Sequence, residues 1–247
     1  MNIERPALAV YLMAGPELAE QAAAAVAAGA TAIEVGIPYS DPLADGPVIQ
    51  RAAQAALAAG MTPPRCLELI ALTRAAIGEI PLVPMTYAAI IERYGAGRFC
   101  HDAGDAGATG LIVADVPPEE AGELSLTAAE NGIDLVQLVA LTSRDERIAR
   151  ACAASRGFVY IVSAIGTTGA RAALDVERLR GLLARVREHA GDLPLLCGFG
   201  ISTADQVREL RAAGADGVIV GSAAISALET GGTAALETFV RSLASAL

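Results

Sequence analysis

The chain has 247 residues, of which 53% are hydrophobic and 19% are charged, and its formal net charge is −10. This apolar content can fill a large core and excludes an intrinsically disordered chain. Lys and Arg do not gather into a basic stripe, so the sequence argues against a nucleic-acid partner. No uncharged apolar stretch reaches the length of a membrane-spanning helix, so we expect no contact with a membrane.

The beginning of the chain, "MNIERPALAVYLM", lacks the basic segment of a signal peptide. The cysteines are scattered without a Cys-x-x-Cys pair, which is typical of reduced thiols in a cytoplasmic protein. They are Cys66, Cys100, Cys152 and Cys197. The two histidines, His101 and His189, lie in polar surroundings and do not indicate a metal site.

Eight short apolar runs predict eight β-strands. In chain order they are residues 7–13, 31–36, 81–87, 109–115, 134–140, 158–164, 193–199 and 216–222. Alanine-rich stretches with helical spacing lie between them, for example residues 17–29, 117–132 and 203–214. Because the apolar runs are continuous rather than alternating, both faces of each strand should be buried, as in a parallel sheet.

A weak internal repeat supports this order of elements. Residues 28–36, 106–115 and 213–222 each contain a helix-ending glycine, a short turn and an apolar strand. Eight such units in about 250 residues predict a single-domain (β/α)₈ TIM barrel over residues 1–247. A doubly wound open sheet is the alternative, but no Gly-x-Gly-x-x-Gly opens a helix after the first strand.

The active sites of such barrels lie where the strands end, and Glu34 lies near the end of the second strand. Its neighbours Ile33 and Val35 should face outward, so the side chain of Glu34 should point inward, into the mouth of the barrel. Apolar surroundings would raise the pKa of its carboxyl group and suit it to proton transfer near neutral pH. The alternative is a structural ion pair between Glu34 and a basic residue across the barrel.

Two further acids, Asp41 and Asp45, follow on the loop "GIPYSDPLADGP". Its three prolines restrict the backbone, so the loop can hold a carboxylate in a fixed position. The alternative for Asp45 is a simple turn, because Asp-Gly pairs are common in turns.

Glycine-rich segments follow the last three strands and read "AIGTTGA", "GFGIST" and "VGSAA". Such segments leave backbone N–H groups free at the start of a helix, where an anion can bind. Phosphate sites of TIM barrels are built from the loops after strands seven and eight. The alternative is that these glycines only form ordinary turns and helix ends. Together with the acids, these segments indicate acid–base chemistry on a small phosphorylated substrate.

At these residues the sequence resembles the tryptophan synthase alpha chain family. The segment "EVGIPYSDPLADGP" matches the family's most specific motif, and "ADVPPEE", "YIVSAIGTTGAR", "GFGIS" and "VIVGSA" match further ones. The resemblance covers nearly the whole chain from about residue 7. It implies cleavage of indole-3-glycerol phosphate to indole and D-glyceraldehyde 3-phosphate, without a cofactor in the alpha chain. It also implies a beta-chain partner in an αββα heterotetramer.

The resemblance assigns roles to individual residues. Glu34 matches the acid–base catalyst, and Asp45 matches the acid that holds the indole N–H. Tyr160 matches a tyrosine near the catalytic Glu, and Thr168 matches a loop threonine that closes over the substrate by bonding to Asp41. The matching phosphate-binding positions are Gly169, Gly200, Gly221 and Ser222.

The chain departs from the family where the usual Tyr-x-Asn after strand three reads Tyr87-Ala88-Ala89. That asparagine position borders the beta chain in the family. Two alternatives to the lyase remain: a non-catalytic partner of a beta chain, and another phosphate-binding barrel enzyme such as an isomerase.

Overall fold

A computed structural model describes residues 1–163 and 175–247, which contain a closed barrel of eight parallel strands in chain order. The strands are β1 (Ala7–Met13), β2 (Ala32–Gly36), β3 (Leu82–Thr86), β4 (Gly110–Val113), β5 (Asp134–Ala140), β6 (Val159–Val162), β7 (Leu195–Gly198) and β8 (Gly217–Val220). Each lies within one of the eight predicted runs. Because β1 pairs with both β2 and β8, the barrel closes and the open-sheet alternative is excluded.

Ten helices surround the barrel in the part of the chain that the structure describes. They are α1 (Leu18–Ala27), α2 (Pro47–Ala58), α3 (Pro63–Ile77), α4 (Ala88–Tyr94), α5 (Ala96–Asp105), α6 (Gly122–Glu130), α7 (Asp145–Ala154), α8 (Val176–Ala190), α9 (Ala204–Ala212) and α10 (Ser222–Ala244). Helix α10 is interrupted at Gly231 and Gly232, where the backbone angles are not helical. Helix α6 begins five residues after the predicted start at residue 117, because residues 117–120 form a separate turn in which the Glu120 N–H donates to the Pro117 oxygen at 2.9 Å.

The internal repeat corresponds to one recurring helix end. Gly29, Gly107 and Gly214 have φ angles of 111°, 86° and 108°, which only glycine adopts without strain. The N–H of the next residue bonds back to the helix in each case, as in a Schellman motif. The pairs are Ala30 to Ala25, Ala108 to Ala103 and Ala215 to Leu210, at 2.9, 2.9 and 3.1 Å. The same turn therefore directs the chain into β2, β4 and β8.

The strands place alternate side chains in two separate cores. Val10, Ile33 and Val35 belong to the core between the strands and the helices. Ala9 and Ala32 belong to the core inside the barrel. Its other members include Val83, Ile112, Val136, Phe158, Leu196 and Ile219. This alternation turns every second residue inward, and it directs the side chain of Glu34 into the barrel as its flanking residues predict.

Substitutions at two glycines compare how tightly the barrel and the helical layer are packed. A Cβ atom at Gly217 would lie 2.4 Å from the backbone oxygen of Ala7 and 2.6 Å from its Cβ, whereas one at Gly181 would meet nothing within 4 Å. We expect Gly217→Ala to lower the free energy of unfolding by about 1–3 kcal/mol through overpacking.

The matched variant Gly181→Ala, inside α8, should raise the free energy of unfolding by roughly 0.5–1 kcal/mol, because alanine favours a helix more than glycine does. Urea unfolding of both variants measures the two changes. Equal effects of the two substitutions would contradict the close approach of β1 and β8.

Candidate active site in the barrel mouth

Glu34 is a buried acid without a partner in the part of the chain that the structure describes. It lies opposite Tyr11 in the register of β1 and β2, and only 1% of its surface is exposed. Neither carboxyl oxygen has a hydrogen-bond partner among residues 1–163 and 175–247. Within that part of the chain no basic residue pairs with Glu34, which disfavours the ion-pair alternative.

Burial determines the protonation state of this group. The loss of hydration raises the pKa of Glu34 from 4.5 to about 8. The side chain is therefore a neutral carboxylic acid at neutral pH. It can donate a proton to a bound molecule and accept one back, which is the property required of a general acid–base catalyst.

Two tyrosines frame Glu34, and two glycines make room for them. A Cβ atom at Gly36 would lie 1.9 Å from the Tyr11 hydroxyl, and one at Gly198 would lie 2.2 Å from the Tyr160 hydroxyl. Burial raises the pKa of both phenols well above 10, and the charge of Glu34 contributes in each case. Both tyrosines are therefore neutral, and both lie close enough to Glu34 that its ionisation would raise their pKa further.

Asp45 faces the same cavity from the loop between β2 and α2. Burial raises the pKa of Asp45, and a hydrogen bond from the Tyr87 hydroxyl opposes this rise. The charge of Asp45 also raises the pKa of Tyr11 and that of Tyr160. Helix α2 has Gly46 at its N-cap position, so Asp45 does not serve as the capping residue of that helix.

Tyr87 anchors this loop. Its hydroxyl accepts a hydrogen bond from the Ala44 N–H at 3.3 Å, in addition to bonding Asp45. Its ring packs on Tyr39 with centroids 5.2 Å apart. One side chain after β3 thus fixes the backbone and the carboxylate of a loop that follows β2.

The walls around the acids are apolar. Met85, Leu138, Val162 and Phe199 are partly buried against the interior core. The Phe199 ring meets the edge of Tyr160 with centroids 5.8 Å apart. The cavity therefore combines aromatic and aliphatic surfaces with two carboxyl groups of raised pKa, which suits a flat, mostly apolar molecule that exchanges a proton.

The ends of β7 and β8 present backbone N–H groups. Phe199 and Gly200 have φ angles of 75° and 79°, and no described residue accepts a hydrogen bond from the N–H of either one or of Ile201. Gly221 and Ser222 open α10, where the first N–H groups of a helix lack partners within the helix. A Cβ atom at Gly221 would lie 3.6 Å from the Tyr11 Cβ, which places this helix start beside the cavity.

Comparison with known proteins identifies the family. The family model "Tryptophan synthase alpha chain" matches residues 1–245. The chain belongs to the tryptophan synthase alpha chain family. A curated alpha chain from Synechococcus sp. (strain CC9902) is 49% identical over 225 residues, covering 90% of this chain and 82% of that protein. One from Methanosarcina acetivorans is 46% identical and covers 98% and 88%.

Solved structures agree with this assignment. Mycobacterium tuberculosis tryptophan synthase superposes with a TM-score of 0.89 at 39% identity, covering 98% of this chain and 92% of the matched chain. The alpha subunit from Legionella pneumophila superposes with a TM-score of 0.87 at 33% identity, covering 97% and 92%. The predicted family, the alpha-subunit role in tryptophan biosynthesis and the lyase class are confirmed.

The alpha-chain fold brings most of the predicted site residues to one end of the barrel. The pKa of Tyr160 responds to the charges of both Glu34 and Asp45, so both acids lie near this tyrosine. Asp41 is exposed on the same loop and accepts a 2.5 Å hydrogen bond from the Ser40 hydroxyl, so it does not join the buried group. Thr168 and Gly169 lie outside the described residues. The predicted bond between Thr168 and Asp41 and the phosphate-binding role of Gly169 remain predictions.

Sequence reasoning did not assign three residues that shape the site. Tyr11 occupies an inward position of β1, two residues beyond Ala9, and strand alternation alone could have found it. Tyr87 was read only as part of a family motif. Its bonds to the loop of residues 37–46 between β2 and α2, called the acid loop below, depend on the fold. Phe199 is the only residue other than glycine with a positive φ among those described, which no sequence pattern reveals.

The described residues contain no group of three or more His, Cys, Asp or Glu side chains placed to hold a metal ion. None of the helices in the same residues combines the length and apolar character needed to cross a membrane. The four cysteines are free and buried.

The raised pKa of Glu34 makes stability depend on pH. The folded chain keeps this proton between about pH 4.5 and 8, whereas the unfolded chain loses it, so the free energy of unfolding should fall as pH rises through that window. Glu34→Gln removes the effect. We expect it to stabilise the protein at pH 8 by on the order of a few kcal/mol, with little difference at pH 4.

Chemical denaturation at a series of pH values measures this difference. The exposed Glu209→Gln serves as control and should follow the wild-type curve. Parallel curves for Glu34→Gln and the wild type between pH 5 and 8.5 would show that Glu34 is ionised in the folded chain.

The Tyr87 hydroxyl should control the order of the acid loop. Tyr87→Phe removes the acceptor for the Ala44 N–H and the donor to Asp45. We expect hydrogen exchange at Ala44 to quicken about tenfold, because one neutral hydrogen bond is lost. The pKa of Asp45 should rise further. NMR detects both changes. Tyr39→Phe keeps the stacked ring and should change neither quantity, and unchanged exchange in Tyr87→Phe would refute the anchoring role.

Proposed function

We propose that this chain cleaves indole-3-glycerol phosphate to indole and D-glyceraldehyde 3-phosphate by a retro-aldol reaction. The observation that carries the proposal is Glu34, a buried acid that has no partner among residues 1–163 and 175–247 and a pKa of about 8, in an aromatic cavity. Family membership supports the choice of substrate.

The proposed reaction begins with proton transfer from Glu34 to the indole ring carbon that bears the glycerol chain. The ring then carries a positive charge and can accept the electron pair of the breaking carbon–carbon bond. The hydroxyl on the adjacent chain carbon loses its proton to the Glu34 carboxylate, and that carbon becomes the aldehyde. One proton enters and one leaves, so Glu34 returns to its starting state.

Asp45 is proposed to accept a hydrogen bond from the indole N–H. The positive charge of the protonated ring is shared by this nitrogen, so a fixed carboxylate beside it stabilises the intermediate more than the substrate. Tyr87 supports the role because its hydroxyl bonds Asp45 and holds the adjacent Ala44. Tyr160 and Tyr11 contribute flat walls for the ring.

The phosphate of the substrate is proposed to bind at the ends of β7 and β8. The N–H groups of Gly200 and Ile201 donate to no described residue, and Gly221 and Ser222 open helix α10 beside them. Such an arrangement attracts an anion through the helix dipole and through individual N–H groups. Gly169 is proposed to complete this site, and Thr168 to close over it by bonding to Asp41.

We further propose that this single-domain chain works in the cytoplasm with a tryptophan synthase beta chain, in an αββα heterotetramer, and needs no cofactor of its own. The family name supports the partnership. On the acid loop, Leu43 is 78% exposed between Asp41 and Asp45. A partner that covers Leu43 would contact the loop that carries Asp45.

Indole release from indole-3-glycerol phosphate tests the proposed reaction. We expect Glu34→Gln to lower kcat roughly 10²–10⁴-fold, because the proton donor is removed while the cavity keeps its shape. Asp45→Asn should lower kcat/KM through weaker stabilisation of the charged ring. Glu209→Gln, on the outer surface of α9, should retain wild-type activity.

The assay is run with and without an added beta chain. If Glu34→Gln releases indole at the wild-type rate, the role of Glu34 is wrong. Turnover of another sugar phosphate without indole release would indicate a different barrel enzyme. Beta-chain binding without any indole release would indicate a non-catalytic partner.

A further inference from the structure

The turn after β7 departs from the geometry of a strand. Along a regular strand, successive carbonyl groups point to opposite neighbours. Here the carbonyl oxygens of Gly198 and Phe199 both point toward β6. They lie 2.5 and 2.6 Å from the hydroxyl oxygen of Ser163, the residue that follows β6. The positive φ of Phe199 reverses the second peptide and makes this possible.

Ser163 is the buried anchor of this turn. Only 2% of its surface is exposed, and its own N–H also donates to the Gly198 oxygen at 2.9 Å. The hydroxyl proton is shared between the two carbonyl oxygens or alternates between them. A left-handed backbone costs a residue other than glycine of order 1–2 kcal/mol, so surrounding contacts must hold Phe199 in place. Ser163 supplies two of these contacts.

The carbonyl directions determine where the N–H groups point. In a trans peptide the C=O and the N–H of the same plane point in opposite directions. Because the oxygens of Gly198 and Phe199 face Ser163, the N–H groups of Phe199 and Gly200 face away from β6. They point toward the side of β8, where Gly221 and Ser222 begin α10. Successive N–H groups aimed at one side form an anion-binding nest.

We propose that Ser163 is a positioning residue that prepares the phosphate-binding site by fixing these two peptides. The inference rests on the proposed function, because the phosphate is the anion that the site is proposed to take. Ser163 does not touch the substrate itself. Its hydroxyl bonds the carbonyl oxygens of Gly198 and Phe199 on one side of the turn. The N–H groups of Phe199 and Gly200 therefore point to the other side, in parallel.

The far end of the turn has a separate anchor. Gln206 accepts hydrogen bonds from the N–H groups of Ser202 and Thr203 at 2.8 and 3.1 Å, and its amide donates to the Gly200 oxygen at 3.4 Å. These bonds hold residues 200–203 at the start of α9 and leave the first two peptides to Ser163. Removing Ser163 should therefore disturb the N–H groups of Phe199 and Gly200 without unfolding α9.

Two ligands separate this role from general stability. Glycerol 3-phosphate probes the anion site, and indole probes the apolar cavity. By titration calorimetry we expect Ser163→Ala to raise the Kd of glycerol 3-phosphate about tenfold, as for the loss of one hydrogen bond, and to leave the Kd of indole within about twofold. With indole-3-glycerol phosphate, KM should rise more than kcat falls.

Three further variants sharpen the test. Ser163→Cys keeps the size of the side chain with a much weaker donor, so it should show the same selective loss even if Ser163→Ala unfolds. Ser163→Thr keeps the hydroxyl and should restore phosphate affinity. Ser155→Ala is the matched control, because this buried serine bonds the backbone N–H of Gln137 at 3.0 Å, at the end of α7. It should lower the melting temperature without changing either Kd.

The outcomes distinguish the two proposals. If the wild type binds glycerol 3-phosphate and both Ser163→Ala and Ser163→Cys bind it equally well, the positioning role is wrong. Equal weakening of both ligands, or the same selective loss in Ser155→Ala, would also overturn it. If the wild type itself fails to bind glycerol 3-phosphate, the proposed phosphate site is wrong, and the inference falls with it.

Discussion

A carboxyl group buried without a partner among the described residues is the constraint on which the rest of this site depends. An ionised carboxylate in such a place would lose its hydration and gain nothing in return, so Glu34 retains its proton at neutral pH. The fold must tolerate this group because β2 directs it inward between Ile33 and Val35, which pack outward. The barrel thereby keeps an acid in a protonation state that an exposed glutamate does not have at neutral pH.

The space around that acid is shaped by two pairs of residues, each made of a tyrosine and a glycine. Tyr11 fills the volume above Gly36, and Tyr160 fills the volume above Gly198. Each tyrosine extends over a glycine on a neighbouring strand, and both phenols lie near Glu34. Any side chain at either glycine would displace a ring, which explains in packing terms why these strand ends contain glycine.

The site also depends on contacts between successive strand ends. Tyr87, after β3, holds the loop that follows β2, and Ser163, after β6, holds the turn that follows β7. In both cases a hydroxyl group from one strand end fixes the backbone of its neighbour. Parallel strands make this arrangement possible because all their carboxyl ends meet at one rim of the barrel. Geometry at the rim is thus set by neighbours in space, several tens of residues apart in the chain.

The sequence by itself determined the eight strands, the helix-ending glycines and the inward direction of Glu34, because these follow from local apolar periodicity and from backbone preferences at single residues. Its motifs were also sufficient to identify the family. Only the tertiary structure decided that Glu34 has no described partner, that Tyr87 anchors Asp45, and that Phe199 adopts a left-handed backbone beneath Ser163. These features arise from contacts between strand ends that barrel closure creates, and no local pattern encodes the distance between residues 43 or 36 positions apart in the chain.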